Sequence, residues 1–535
     1  MELISQHTKR IMEGCKERAR RAGLRFDDES LEYIVTNRDM IELGPKVMIP
    51  TLYDYWVHDV EVLRERGKYE LYPSNPYETV INTRPAISFY NDNNPDWLNV
   101  MIFYHVLGHI DFFQNNHFFR HTWDDDFAGR ALADKRLIAR LRSEHGRWVD
   151  YVIEFARGID NLVDYHAALE HPEGRLPEPI SRLDFYFDHF LQKQKKVRVP
   201  DYVKEIERYN ACLKRFDEAA DECFFAEVLN RYPEFEALYD KARQQPQRKR
   251  LDVMQFILAH SKFLSLEENA WMKSVMEVVR KTSLYFQPQI RTKFMNEGWA
   301  SYWHEKLFLE DERIRGHEVE FARVHSRVTA LQRVGLNPYA IGLRLFQHIE
   351  EGADLGRDTL PYKQLADSAA RSRFDVGAKK GQQTLFALRE DLADNLFIQR
   401  FVDQDFVDRH RLFVVGRRVN PQRRTWEYFV QSRRAEDYRQ MLLDSLYHPP
   451  RIEVDVERSA RGPLYLVHRF EGKPLVNEFI ANTLLGIEYL WGGAVCLETS
   501  VVEAPPTREG NAVRPVRWRR KRYTMAKRVL TSESL

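Results

Sequence analysis

No run of about 18 apolar residues occurs anywhere in the chain, so a membrane-spanning helix is not expected. The N-terminal segment MELISQHTKRIMEGCKERARRAG is amphipathic and mixed in charge, without the continuous apolar stretch of a signal peptide, and the expected location is the cytoplasm. Cysteine is scarce. Cys15, Cys212, Cys223 and Cys496 show no CxxC spacing, which fits reduced thiols better than a disulfide framework or a cysteine-rich zinc site. Charge of one sign is not in excess: 81 Lys and Arg against 80 Asp and Glu leave a formal net charge of +1, and that balance calls for neither nucleic acid nor an anionic membrane. A P-loop, a dinucleotide glycine fingerprint and a GxSxG elbow are all missing, so ATP and NAD enzymes are not supported. None of the 18 histidines has a Glu three residues before it, which argues against the Glu-x-x-His pairs of a di-iron bundle.

What the chain does have is apolar bulk. Its 535 residues are 43% hydrophobic and 13% aromatic, enough for a large core and more than one domain. Apolar spacing is helical through most of residues 1–394. A helix is expected over residues 1–23, a second after Asp27-Asp28-Glu29, and a third over Tyr53–Arg66 with His58 and Asp59. TVINT and AISFY read as a strand hairpin, Gln244–Arg250 as a loop, and Gln287-Pro288 as a helix break. Near residue 395 the pattern turns to alternation: LFIQRF, HRLFVVGRRV, TWEYFVQSR, RIEVDVE, LYLVHRF, AVCLETS and RYTMAKRV read as strands, with helices near 434–447 and 474–490. The expected architecture is a mainly α N-terminal domain, residues 1–394, and a smaller C-terminal α+β domain, residues 395–535.

Two stretches carry chemistry. In HVLGH, His105 and His109 stand at i and i+4, so their imidazoles share one face of a helix and are placed to share a metal ion. The spacing is that of the zinc-protease motif HExxH, but Val106 stands where the general-base Glu would be. The expected third ligand is Glu297 in MNEGWASYWHEKLF, where Glu297, Ser301 and His304 fall at i, i+4 and i+7. Thermolysin-like zinc enzymes also take their third ligand from a Glu on a later helix, with an orienting Asp four residues on, where Ser301 stands here. The expected helical core is therefore zincin-like. Zn2+ is the favoured ion, and the same donors accept manganese or iron. With no Glu at position 106, His304 or Asp111 is the candidate for moving a proton, provided that folding brings either within reach of the water. Asp111 stands two residues beyond His109, about 200° around the helix.

The runs PYETVINTRP, HVLGHIDFFQNNHFF, YFQPQIRTKFMNEGWASYWH and LNPYAIGLRLFQHIE together resemble the SpoVR family, the stage V sporulation protein R-like proteins. The likeness extends to LVHRFEGKPL and LWGGAVCLET. The resemblance implies a role in spore cortex formation or, in bacteria that do not sporulate, in stress and stationary-phase responses. A PrkA-type serine kinase and a von Willebrand factor A-like protein are the partners it implies. It names no reaction, and two readings stay open. One is a metal-dependent, zinc-type hydrolase acting on an amide or peptide bond through His105, His109 and Glu297. The other is a non-catalytic regulatory or scaffold protein that keeps the hydrolase-like core, for which Val106 is what a degenerate enzyme would show.

Overall fold

The computed structural model describes residues 2–36, 78–123, 126–165, 181–195, 197–216, 220–244 and 251–535, except 421, 423–424, 461, 505–506, 510–511 and 515–516. The helix expected over Tyr53–Arg66, with His58 and Asp59, lies outside them, as do residues 245–250 of the expected loop. The chain divides into two compact units: Met1–Leu169 with Asp252–Leu535, and Glu170–Leu251. Most described residues are helical, and the C-terminal region carries most of the strands. No helix among the described residues is long and apolar enough to cross a membrane.

The main core of the larger unit is built around two long helices, Asp96–Asn115 and Lys293–Glu310, called here the histidine helix and the glutamate helix. Every residue from Leu98 to Phe113 is buried. A helix covered all round belongs to the middle of a core, and its sequence has no polar face to show. The two helices touch through small residues: a Cβ on Gly108 would lie 2.8 Å from the Ala300 Cα. On another side of the glutamate helix, Gly298 meets Gly342 of helix Pro338–Asp354 backbone to backbone, an approach that only glycine permits. Contacts run in opposite senses, with His109 level with Asn296 and Tyr104 with Asp311, so the two helices are antiparallel. The first turn of the glutamate helix is closed by Asp394, whose carboxylate accepts from the Phe294 and Met295 amides at 2.9 Å each. Burial pushes the pKa of that carboxyl up to about 7.

Strands lead into the histidine helix. TVINT and AISFY do form a hairpin, with Glu78–Ile81 antiparallel to Ala86–Asn91. Asn91 then ends its strand and accepts from the Asn93 amide at 2.9 Å, making the turn that starts the helix. The segment after Asp27-Asp28-Glu29 is not a helix but strand Ser30–Val35, which pairs parallel to Ala86–Asn91. Pro288 does not break its helix either: it sits inside Ala270–Arg291. A proline cannot donate to the carbonyl four residues back. That carbonyl, of Leu284, accepts from His121 Nε2 at 3.0 Å instead.

Beyond residue 395 the expected strands are present with two exceptions: LFIQRF lies in helix Asp394–Phe401, and RYTMAKRV spans the end of strand Arg517–Ala526, the turn at Lys527-Arg528 and the start of strand Val529–Ser534. Val414–Asn420 and Thr425–Ser432 form a hairpin. A five-stranded sheet follows in the order Val529–Ser534, Arg517–Ala526, Val495–Ala504, Leu464–His468, Ile452–Val454. Helix Asn477–Trp491 connects its one parallel pair.

The smaller unit packs the π-helical segment Phe185–Gln194 and helices Val199–Phe216, Ala220–Arg231 and Phe235–Gln244 around a core rich in phenylalanine and tyrosine. On the larger unit's side of this insertion, the Asp164 amide donates to Asp252 Oδ2 at 3.2 Å.

Candidate metal centre

The antiparallel packing brings His105, His109 and Glu297 together. The two Nε2 atoms are 3.1 Å apart, and Glu297 Oε2 lies 3.5 Å from His109 Nε2 and 3.9 Å from His105 Nε2. This is the only group of three metal-type donors found among the described residues. A tetrahedral zinc site with bonds of about 2.0–2.1 Å places its ligand atoms about 3.4 Å apart, so the triangle already has the right size. Glu297 Oε2 is buried and accepts no hydrogen bond. An unanswered buried carboxylate oxygen costs about 1–3 kcal/mol or more, which a cation between the three donors would relieve.

The far sides of both rings are held. His109 Nδ1 lies 2.9 Å from Asn296 Oδ1, an acceptor, so Nδ1 carries the proton and Nε2 keeps its lone pair. His105 Nδ1 lies 2.9 Å from His304 Nδ1, His304 Nε2 lies 2.8 Å from His325 Nδ1, and His325 Nε2 lies 3.6 Å from Glu305 Oε1. The proton order that bares His105 Nε2 runs from His105 to His304, from His304 to His325, and from His325 toward Glu305. The Ala300 backbone adds a hydrogen bond to the His105 ring. Burial holds His105 and His304 well below the usual histidine pKa, the neighbouring imidazoles adding to the effect, and burial with Arg344 lowers His325 to about 4. These three rings are neutral at pH 7, the state in which imidazole binds metals.

His304 is thus at the centre, but behind His105 and not on the Nε2 side where the three donors converge. Seven residues along a helix is about 10 Å of rise, too far for Glu297 and His304 to reach one ion. Asp111 is turned elsewhere. Its Oδ1 accepts from the Arg25 amide at 2.7 Å, and its Oδ2 accepts from Trp299 Nε1 at 2.8 Å and lies 3.3 Å from Arg389 Nε. Both Asp111 and Arg389 are fully buried. Burial raises the Asp111 pKa to about 6 against the pull of Arg389. Asp111 therefore ties the histidine helix to Trp299 of the glutamate helix. Ser301 is fully buried and its Oγ makes no hydrogen bond.

Asn296, His325 and Glu305 carry no site role by sequence pattern alone. Asn296 had a signal in the sequence only in adjoining Glu297. His325 had none, because its helix, Glu318–Val328, meets the site only through the fold.

The chain belongs to the SpoVR family: the family described as SpoVR like protein matches residues 2–448. The match ends just before the five-stranded sheet begins at Ile452. Among curated proteins, the chain is similar to a protein of Escherichia coli (strain K12) described as uncharacterized protein YcgB. The identity is 24% over 515 residues, covering 89% of this chain and 90% of that one. No solved structure matches the chain.

Proposed function

We propose that His105, His109 and Glu297 hold a divalent metal ion, Zn2+ by preference, in a zincin-like helical core, and that the protein is a metal-dependent hydrolase acting on an amide or peptide bond. The observation that carries this is the triangle of 3.1, 3.5 and 3.9 Å between three convergent donor atoms, two of them on rings locked from behind. When bound, the ion supplies Lewis acidity for hydrolysis. Asn296 and His304 set the tautomers of His109 and His105, so that each presents a lone pair. Asp111 keeps the two ligand-bearing helices in register through Trp299. His304 and Asp111 are positioning residues in this scheme, and neither abstracts a proton from water.

Fully buried Val106 favours a second reading. A non-catalytic regulatory or scaffold protein, acting in the cytoplasm with a PrkA-type serine kinase and a von Willebrand factor A-like protein in sporulation or stress response, needs no base at that place. Elemental analysis of the purified chain, beside the His105→Ala/His109→Ala and Glu297→Ala variants, tests the site. Near-stoichiometric metal that both variants lose while remaining folded supports it, and screening amide substrates then separates the two readings. A folded wild type that neither carries metal nor takes up added Zn2+ removes the hydrolase.

A further inference from the structure

The smaller unit holds a pair of thiols that the metal centre does not use. Cys212 lies in helix Val199–Phe216 and Cys223 in the next helix, Ala220–Arg231. Their Sγ atoms are 4.0 Å apart, and both cysteines are free. Sulfurs in van der Waals contact on adjacent helices reach the bonding distance of about 2.0 Å by side-chain rotation and a small approach of the helices.

The two thiols differ in a way that suits stepwise oxidation. Cys223 is half-buried at the edge of the smaller unit's aromatic core, the more exposed of the two. Cys212 is only 9% exposed and packs with the aromatic core of its unit. Burial and the contact with Cys223 raise the Cys212 thiol pKa, and the positive charge of Arg208 opposes them. A partly exposed thiol with a second, more sheltered thiol in contact with it is the arrangement in which a sulfenic acid is captured before it oxidises further.

We propose that Cys212 and Cys223 are a reversible modification site, a dithiol that hydrogen peroxide converts to an intramolecular disulfide. The Cys223 thiolate attacks peroxide, the O–O bond breaks, and hydroxide leaves to take up the thiol proton as water. Cys212 then attacks the sulfenic sulfur of Cys223: the S–S bond forms, the S–O bond breaks, and a second water leaves. Two thiols lose two electrons and two protons, and one peroxide becomes two waters. A thiol reductant returns the pair to its starting state.

The test uses the full chain, freed of reductant, treated with hydrogen peroxide and digested with trypsin without reduction. Cleavage after Lys214 and Arg215 puts the two cysteines on different peptides, so a disulfide appears as one linked species that dithiothreitol separates. The expected result is that species in the wild type, with dimedone labelling of Cys223 only in Cys212→Ser. Wild-type Cys212 and Cys223 that stay fully alkylatable after peroxide would overturn the proposal. So would disulfides that join either one to Cys15, Cys496 or a second chain. The wild-type readout decides even if the variant fails to fold.

Discussion

The Nε2 atoms of His105 and His109 face one another at 3.1 Å across one helical turn, with the buried Oε2 of Glu297 closing the triangle. Two lone pairs and a carboxylate oxygen in such proximity repel unless a proton or a cation lies among them. Added Zn2+ is therefore expected to raise the thermal midpoint of chelator-treated protein, with a shift that grows with the free ion concentration. His105→Ala, His109→Ala and Glu297→Ala are each expected to abolish that shift, measured by calorimetry. An unchanged shift in all three would place the ion elsewhere.

The residues behind the rings should matter by a smaller, definable amount. Asn296→Ala and His304→Ala each remove a partner that fixes the tautomer of His109 or His105. Each is expected to weaken metal binding by about 10–100-fold while leaving the fold intact. Competition against a chromophoric chelator measures this, and a variant that binds as tightly as wild type would deny the residue that role.

Acid should loosen the metal-free protein through His325. Its unfolded pKa is near 6.5 and its folded value about 4, so below pH 6.5 the unfolded chain takes up a proton that the folded chain refuses. The stability concerned is fully present above pH 6.5 and is lost as pH falls toward 4, by up to about 3 kcal/mol at 1.36 kcal/mol per unit. Asp111 and Asp394, with raised pKa values, act in the opposite sense over the same range. The useful quantity is thus a difference: between pH 7.5 and pH 4.5, His325→Gln should lose less stability in urea unfolding than the wild type. Equal losses would show that His325 is not the group concerned.

Asp111→Asn should separate a structural role from a chemical one. The exchange takes the closer carboxylate from the fully buried Arg389 and leaves it only Glu390, 3.7 Å from Nη1, a loss of about 3 kcal/mol. Urea unfolding is expected to show that loss, while metal stoichiometry per folded molecule stays at the wild-type level. A normally stable variant without metal would return Asp111 to the site.

Close helix approach makes a fifth case. A methyl group on Gly342 would overlap the Phe294 carbonyl oxygen and the Gly298 backbone. Gly342→Ala is expected to cost about 1–3 kcal/mol and to reduce metal affinity by shifting the glutamate helix. Thermal unfolding and chelator competition on the same preparation show whether both effects occur together.

The triangle of donor atoms was legible because each half of it is local. His105 and His109 lie on one helical face by spacing alone, and Glu297 stood out by likeness to later-helix ligands in zinc enzymes. The depth of the site was not legible. Nothing between residues 99 and 119 says that His105 will sit level with His304, because that follows from antiparallel packing through Gly108 and Ala300. The same reason explains the misread elements. Acids before Leu31 favour a helix start, but the parallel partner that makes Ser30–Val35 a strand is Ala86–Asn91, far along the chain. Pro288 ends a helix unless something else bonds the orphaned carbonyl, and His121 does so from more than 160 residues away. LFIQRF is too short for periodicity to separate helix from strand, and it follows an Asp engaged with another helix.

The hydrogen bond between Asp164 and Asp252 has a consequence for how this chain can vary. Asp164 and Asp252, both in the larger unit, lie side by side, so the stretch of chain between them is an insert whose ends are held at neighbouring places. Closing a longer or shorter stretch between fixed ends changes the free energy only logarithmically with length. The histidine helix is complete before Asp164 and the glutamate helix begins after Asp252, so the insert can grow, shrink or be exchanged while both helices remain unbroken.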